Sequence, residues 1–300
     1  MKLEEPSNPP SDQESAQIER LKGLILTDEQ LAEHPFYNEG NENQFYVISL
    51  NKGEKTLLFF GSPHINHPDD PDEKRVFEEI KKRFEETRPE IVFVEGMEGL
   101  SEHRDRAIAE SKKESLEDAA KQSESHFALK LAIDAEMDFE SPEPTFSSEM
   151  NYLLEKGFSQ KDIFLQQFYL HAHQYQRSHQ VMDPDECKKY MQPFIKRFYQ
   201  EEHWDKSDLE LWEKETFDNL NLEDEDFYIK QVDPVPWSDR EQTVYNEISR
   251  ISGEQRSPHI FEKIAEALGR YNRVFVVYGS AHALRQEPAF RALFEKGFNE

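Results

Sequence analysis

One cysteine, Cys187, stands among 300 residues. A lone thiol rules out an intramolecular disulfide and a cysteine-built zinc site, and it fits a reducing compartment. Cationic side chains are also scarce: 36 Lys and Arg face 62 Asp and Glu, a formal net charge of −26. A field of that sign repels phosphate backbones and anionic lipid, so no nucleic-acid partner is expected. No apolar run approaches the ~18 residues that a membrane span needs, so no span is expected either. The segment Met1 to Arg20 lacks the basic start and apolar stretch of a signal peptide, which points to a cytoplasmic location. Three catalytic patterns are missing as well: Gly-x-Ser-x-Gly, His-Glu-x-x-His and Gly-x-x-x-x-Gly-Lys. Serine-elbow hydrolases, zincins and P-loop nucleotide enzymes are thereby set aside.

What the chain does have is apolar substance. Hydrophobic residues make up 36% of it, with 22 Phe and 11 Tyr among them, enough for a packed core. Residues 1–44 read as a flexible tail with a lead-in helix near Ile18–Leu26. Residues 45–300 read as a single α/β domain. Phe45–Leu50 and Thr56–Phe60 form a hairpin about Asn51-Lys52-Gly53-Glu54. Thr56–Phe60 is nearly all apolar, as in a strand covered on both faces. A polar loop follows, and Pro71 opens a helix with Asp70 as its cap. Val76, Ile80 and Phe84 recur every fourth residue along one helix face. Ile91–Val94 is the next apolar strand, so strand, helix and strand make a crossover between parallel strands.

From about 100 to 252 the pattern is helical and strongly charged. Phe164, Phe168, Tyr175, Phe198, Trp212 and their neighbours read as helix-packing core. This insertion is expected to cap the site, with His171-x-His173 and His179 on one of its helices and Glu223–Asp226 as a solvated acidic run. Ser257 and Pro258 read as the start of a helix with Ile260, Phe261, Ile264 and Leu268 inward and Gly269 at its end. Arg273–Tyr278 is the last strand, and a final helix is read from near Pro288. The fold class is α/β: a mainly parallel central sheet flanked by helices, with a helical insertion forming a cap.

Two segments match. Leu57-Leu58-Phe59-Phe60 runs into Gly61-Ser62-Pro63-His64, and Val274-Phe275-Val276-Val277-Tyr278 runs into Gly279-Ser280-Ala281-His282. Glycine permits a sharp exit from the strand. Each histidine then falls just past the carboxyl end of its strand, where open parallel sheets bind ligands. Glu95 holds the same position after Ile91–Val94. Two imidazoles and a carboxylate suit a first-row divalent metal or metal-free acid–base work. A histidine capping a loop is the blander explanation of one such motif; two copies after equivalent strands favour a site. His67 and His259 are weaker candidates, because a lone histidine carries little information.

These motifs, the strand ending in Glu95 and the intervening helices resemble the TraB/TIKI family. That family sits in a wider superfamily with erythromycin esterases, ChaN-like haem-binding lipoproteins and GumN-like proteins. The likeness covers Thr56–Gly96 and Arg256–Pro288. It implies an active centre of two histidines and a strand-end glutamate, here His64, His282 and Glu95. It also implies an arginine before the last helix–strand pair, which Arg256 matches, although Ser257 stands where the family usually has Asp or Asn. Glu143 resembles a family glutamate that follows a helix and short strand. The TIKI branch implies a metal-dependent peptidase using manganese or cobalt, and the esterase branch implies ester hydrolysis.

The expectation is therefore a metal-dependent hydrolase of peptide, amide or ester bonds, acting on a small-molecule or peptide substrate. His64, Glu95 and His282 would be catalytic residues and ligands to manganese, cobalt or zinc, with Arg256 beside them. Glu143, His67, His259, Ser62 and Ser280 would line the substrate. The alternative is a binding module that holds haem or a peptide in the same cleft without turnover. The sequence does not bear on oligomeric state.

Overall fold

A computed structural model of the chain describes residues 12–38, 44–63, 71–97, 100, 104–178, 183–218, 220, 232–233 and 242–297. His64, His67, His179 and the run Glu223–Asp226 lie outside these residues.

Five strands form one sheet in the order β1-β2-β5-β3-β4. They are β1 (Tyr46–Lys52), β2 (Lys55–Ser62), β3 (Ile91–Val94), β4 (Asp138–Glu140) and β5 (Arg273–Gly279). β1 and β2 are the antiparallel hairpin read from the sequence, with Lys52 opposite Lys55. Gly53 turns the chain there at a φ of 60°, which a side chain would resist. All other pairings are parallel: β2 with β5, β5 with β3, and β3 with β4. The chain thus has an α/β fold with a mainly parallel sheet flanked by helices. β5, the last strand in sequence, fills the slot between β2 and β3.

Side-chain alternation sorts the strands onto two buried faces. Leu57, Phe59, Ile91, Phe93, Val274, Val276 and Tyr278 belong to one apolar cluster. Leu58, Phe60, Val92, Val94, Phe139, Phe275 and Val277 belong to the other. That double burial is why these strands read as continuous apolar runs. The second face is covered by α4 (Pro71–Thr87), which carries the β2-to-β3 crossover, and by α7 (Glu124–Asp134), with α5 (Arg104–Ser111) and α6 (Leu116–Gln122) beside it. The first face is covered by α1 (Asp12–Lys22), by the second half of α12 (Val244–Arg270) and by α13 (Ser280–Lys296).

The contacts divide the chain into two compact units, 1–144 with 256–300, and 145–255. The first is the sheet unit. The helices at 104–134 pack on its sheet, so the divide falls at 144/145 rather than near residue 100. The second unit holds α8 (Phe146–Glu155), α9 (Gln160–Ser178), α10 (Pro184–Gln200), α11 (Lys206–Phe217) and the first half of α12. Its core is the aromatic set: Phe164, Phe168, Tyr175 and Phe198 are each no more than 1% exposed. Local signals set its helix starts. Thr145, Asp183 and Asp205 each cap a helix through a side-chain oxygen, and Pro184 follows Asp183 at the first helical position.

Three boundaries differ from the sequence expectation. The N-terminal lead-in is anchored: α1 buries Ile18 and Leu21 in the first-face core. α2 (Asp28–Ala32) and α3 (Pro35–Asn38) follow it, and Asp28 forms a buried ion pair with Arg285. α12 runs straight through Ser257 and Pro258 instead of starting there. Proline costs a helix interior about 3 kcal/mol, and the packing of Ile260, Phe261 and Ile264 on the sheet offsets it. The last helix starts at Ser280, two turns before Pro288. Ala283 and Leu284, good helix formers, are buried there.

Candidate functional site

The carboxyl ends of β3 and β5 meet at one point. Val94 pairs with Val277, and the next residue, Glu95, donates its backbone N–H to the Val277 carbonyl at 3.3 Å. Its carboxylate then reaches across the strand end, where Oε2 accepts the Gly279 N–H at 2.6 Å. His282 lies in the first turn of α13 because that helix starts directly after Gly279. Its Nε2 stands 3.7 Å from Glu95 Oε1, and the two side chains are 16% and 18% exposed, sheltered yet reachable. The imidazole meets the Tyr278 ring at 81° with centroids 5.6 Å apart. Burial pushes the His282 pKa down to about 4, against the pull of the Glu95 charge, so the ring is neutral near pH 7.

Behind this pair stands a carboxylate–guanidinium pair. Glu143 follows β4 and is buried. Arg256 grips it with both arms of its fork, Nε to Oε2 at 3.1 Å and Nη2 to Oε1 at 2.9 Å, the geometry in which guanidinium binds carboxylate best. Helix and strand lengths explain the reach. From Arg256 to the end of α12 the helix rises about 21 Å, and β5 returns about 20 Å, which brings Arg256 level with Gly279. Glu143 Oε1 also accepts the Tyr278 hydroxyl at 3.2 Å and the Gly96 N–H at 3.4 Å. Burial alone would raise the Glu143 pKa; the Arg256 charge and hydrogen bonds outweigh it and hold the carboxyl below its usual range. Burial, then the Glu143 and Glu95 charges, push the Tyr278 phenol well above its ordinary value, so it remains a proton donor.

The structure thus brings together Glu95, His282, Glu143 and Arg256. Ser62 and Ser280 are both buried next to the cluster in sequence. Ser62 closes β2 and donates to Glu124 Oε1 of α7 at 2.5 Å. Ser280 opens α13, and the helix backbone there lies so near β2 that a Cβ on Gly61 would come within 2.8 Å of Ser280 Cα. The two Gly-Ser motifs are not in register either: Gly61 pairs with Tyr278 and Ser62 with Gly279, a stagger of one residue. His259 is half-buried on α12, with its pKa lowered by burial. No hydrogen bond or ion pair joins it to Glu95 or His282 among the described residues. His64 and His67 lie outside the described residues.

Sequence reasoning missed two members of this region. Tyr278 hides at the end of an apolar strand run, and its polar tip just before Gly279 was the available signal. Glu124 carried no signal beyond following the helix-capping Ser123.

Among the described residues no group of three or more His, Cys, Asp or Glu forms a metal cluster. Two donors nonetheless fit one ion. Ligand atoms 2.0–2.2 Å from a common cation are about 3.3–3.8 Å apart at tetrahedral to trigonal angles, a range that includes the 3.7 Å between Glu95 Oε1 and His282 Nε2. Comparison of the chain with protein-family models, with curated proteins and with solved structures finds no match.

Proposed function

We propose that the carboxyl edge of β3 and β5 carries a hydrolytic centre for peptide, amide or ester bonds, in keeping with the resemblance to the TraB/TIKI family. The observation that supports it most is the Glu95–His282 pair, held 3.7 Å apart on rigid strand and helix ends. Glu95 spends one oxygen on the Gly279 N–H. Its other oxygen is left to orient a water molecule and accept its proton. Neutral His282 offers a nitrogen lone pair to a cation or a hydrogen bond to a substrate carbonyl. His64, from the first Gly-Ser-x-His motif, is proposed as the third donor.

A bound manganese, cobalt or zinc ion would lower the pKa of water towards ~7 and polarise the carbonyl. Glu95, His282 and His64 are the residues that would hold it. Arg256 commits its fork to Glu143, so its part is to fix Glu143 beneath the site. Glu143 in turn holds the Tyr278 hydroxyl, against whose ring His282 rests.

The test uses the full-length protein, dialysed and resupplied separately with each of the three ions. It is assayed against a panel of nitrophenyl esters and labelled peptides. Turnover is expected, with about 10²–10⁴-fold loss in Glu95→Gln and His282→Ala, while circular dichroism stays unchanged. No turnover with any ion, together with a haem absorption band that disappears in His282→Ala, would replace hydrolysis with the haem-binding alternative.

A further inference from the structure

Six buried polar atoms of the sheet unit have no hydrogen-bond partner among the described residues: Ser111 Oγ, Ser141 Oγ, Ser257 Oγ, His282 Nδ1 and both amide atoms of Gln286; the last four belong to α12 and α13. Gln286 is 0% and Ser257 1% exposed. Buried polar groups without partners are rare and costly, about 1–3 kcal/mol each, and clusters of them mark functional sites.

Their placement is specific. His282 and Gln286 are four residues apart on α13, so they share a face one turn apart, and a long helical side chain leans back toward the N-terminus. The Gln286 side chain therefore starts on the His282 side of the helix, although no direct hydrogen bond joins the two. α12 leads into the start of β5 and α13 leaves its end, so both helices run antiparallel to that strand and parallel to each other. They touch at Phe261 and Phe290, with ring centroids 4.9 Å apart. One turn earlier on each helix come Ser257 and Gln286, at the level of the site.

We propose that Gln286, supported by Ser257, is a positioning residue that fixes His282 as the tautomer protonated at Nδ1, so that Nε2 presents its lone pair on the Glu95 side. This deepens the hydrolytic reading above and rests on it for its functional meaning. Two facts point to this tautomer. A proton on Nε2 would draw the Glu95 carboxylate into a hydrogen bond, yet 3.7 Å is longer than any such bond. On the inner side, Arg285 at i+3 is committed to Asp28, and Gln286 lies one turn on at i+4; no direct hydrogen bond joins it to His282 or Ser257, but through one enclosed water its carboxamide oxygen can accept the Nδ1–H and its amino group can serve Ser257 Oγ. A ligand histidine is commonly oriented in this manner through its second nitrogen.

Nitrogen-15 NMR of the imidazole in the full chain, with His282 assigned by mutation, reads the tautomer without any assay of activity. The wild type is expected to show a protonated, pyrrole-type Nδ1 and a pyridine-type Nε2. Gln286→Met, close in volume and devoid of hydrogen bonds, should mix the two tautomers or reverse them. Ser257→Ala should shift the same signals less, and it serves if Gln286→Met does not fold. A wild-type ring protonated at Nε2, or a signature unchanged in the variants, overturns the proposal. If the signature behaves as expected and no substrate is hydrolysed, the proposal stands and the hydrolytic reading falls.

Discussion

Replacing Arg256 with Met tests whether the buried pair with Glu143 holds the site together. The variant keeps most of the side-chain volume and removes the charge. Glu143 would then stay nine-tenths buried, its side chain being 7% exposed, with only the Tyr278 hydroxyl and the Gly96 N–H left to it. A pair about 4 Å between charge centres is worth about 4 kcal/mol at an effective dielectric near 20. Arg256 is 27% exposed, so solvent screening cuts that to about 2 kcal/mol. The sign of the pH dependence is fixed. In the wild type the Glu143 pKa is lowered, so its contribution is present above the usual carboxyl range and fades as pH falls through the folded value. In the variant burial outweighs the remaining hydrogen bonds and raises the pKa, so the penalty is largest near pH 7 and shrinks as the carboxyl takes up a proton. The gap between the two proteins should therefore narrow between pH 7 and pH 5. The assay must see the sheet unit. Trp204 and Trp212, the tryptophans among the described residues, lie in 145–255, so their fluorescence reports the other unit. Amide hydrogen exchange of β3 and β5 is the right readout. A loss below about 0.5 kcal/mol, within the scatter of ordinary surface substitutions, or a gap that ignores pH, would refute the reasoning.

Three further outcomes are expected. Gly61→Ala should cost about 1–3 kcal/mol by overpacking, because the new Cβ would lie 2.8 Å from Ser280 Cα and 2.9 Å from Ala283 Cβ; thermal unfolding measures it, and an unchanged melting temperature would count against so close an approach. Asp28→Ala strands Arg285, which is 7% exposed, and should cost about 3–5 kcal/mol, read as the shift in urea midpoint; a shift worth less than about 1 kcal/mol would contradict it. In the helical unit, burial pushes His171 down to about 4, and its ring packs tilted at 46° against Phe194, with centroids 3.7 Å apart. Stability held above pH 6.5 should drain away as pH falls toward 4, and His171→Phe should flatten that slope in tryptophan-monitored unfolding; an identical slope in the variant would rule out His171 as the source.

Much of the fold was legible because its strands are buried on both faces. An apolar run such as Val274–Tyr278 announces itself without any partner, and the β2–α4–β3 crossover follows from spacing. β4 was not legible, since Asp138-Phe139-Glu140 buries a single apolar side chain and joins the sheet through its neighbour β3. Helix starts were misread where proline was taken as punctuation. Pro258 and Pro288 both sit inside helices, because tertiary packing of the flanking apolar residues outweighs the lost hydrogen bond. At the site, residue types at strand ends located Glu95 and His282, but pairing is a property of three dimensions. Nothing local in the sequence ties Arg256 to Glu143 across 113 positions, or Ser62 to Glu124. The one-residue stagger of the two Gly-Ser motifs was equally hidden, as sequence matching aligns letters whereas hydrogen bonding sets register.

The place of β5 also governs when the molecule can exist. The strand that joins β2 to β3 is made last, and 132 residues separate the end of β4 at 140 from the start of β5 at 273. At roughly 5–20 residues per second, a nascent chain waits about 7–26 s for it. Until then β2 and β3 present facing edges with unmet hydrogen bonds and two apolar surfaces. Neither Glu95 nor His282 can find its partner during that interval, so the pair cannot form until β5 and the start of α13 have been made. Synthesis is safest where a holding chaperone shields the gap. A chain truncated after Arg270 should aggregate when translated without chaperones, and adding the missing 271–300 segment in trans should restore solubility if the slot is otherwise formed.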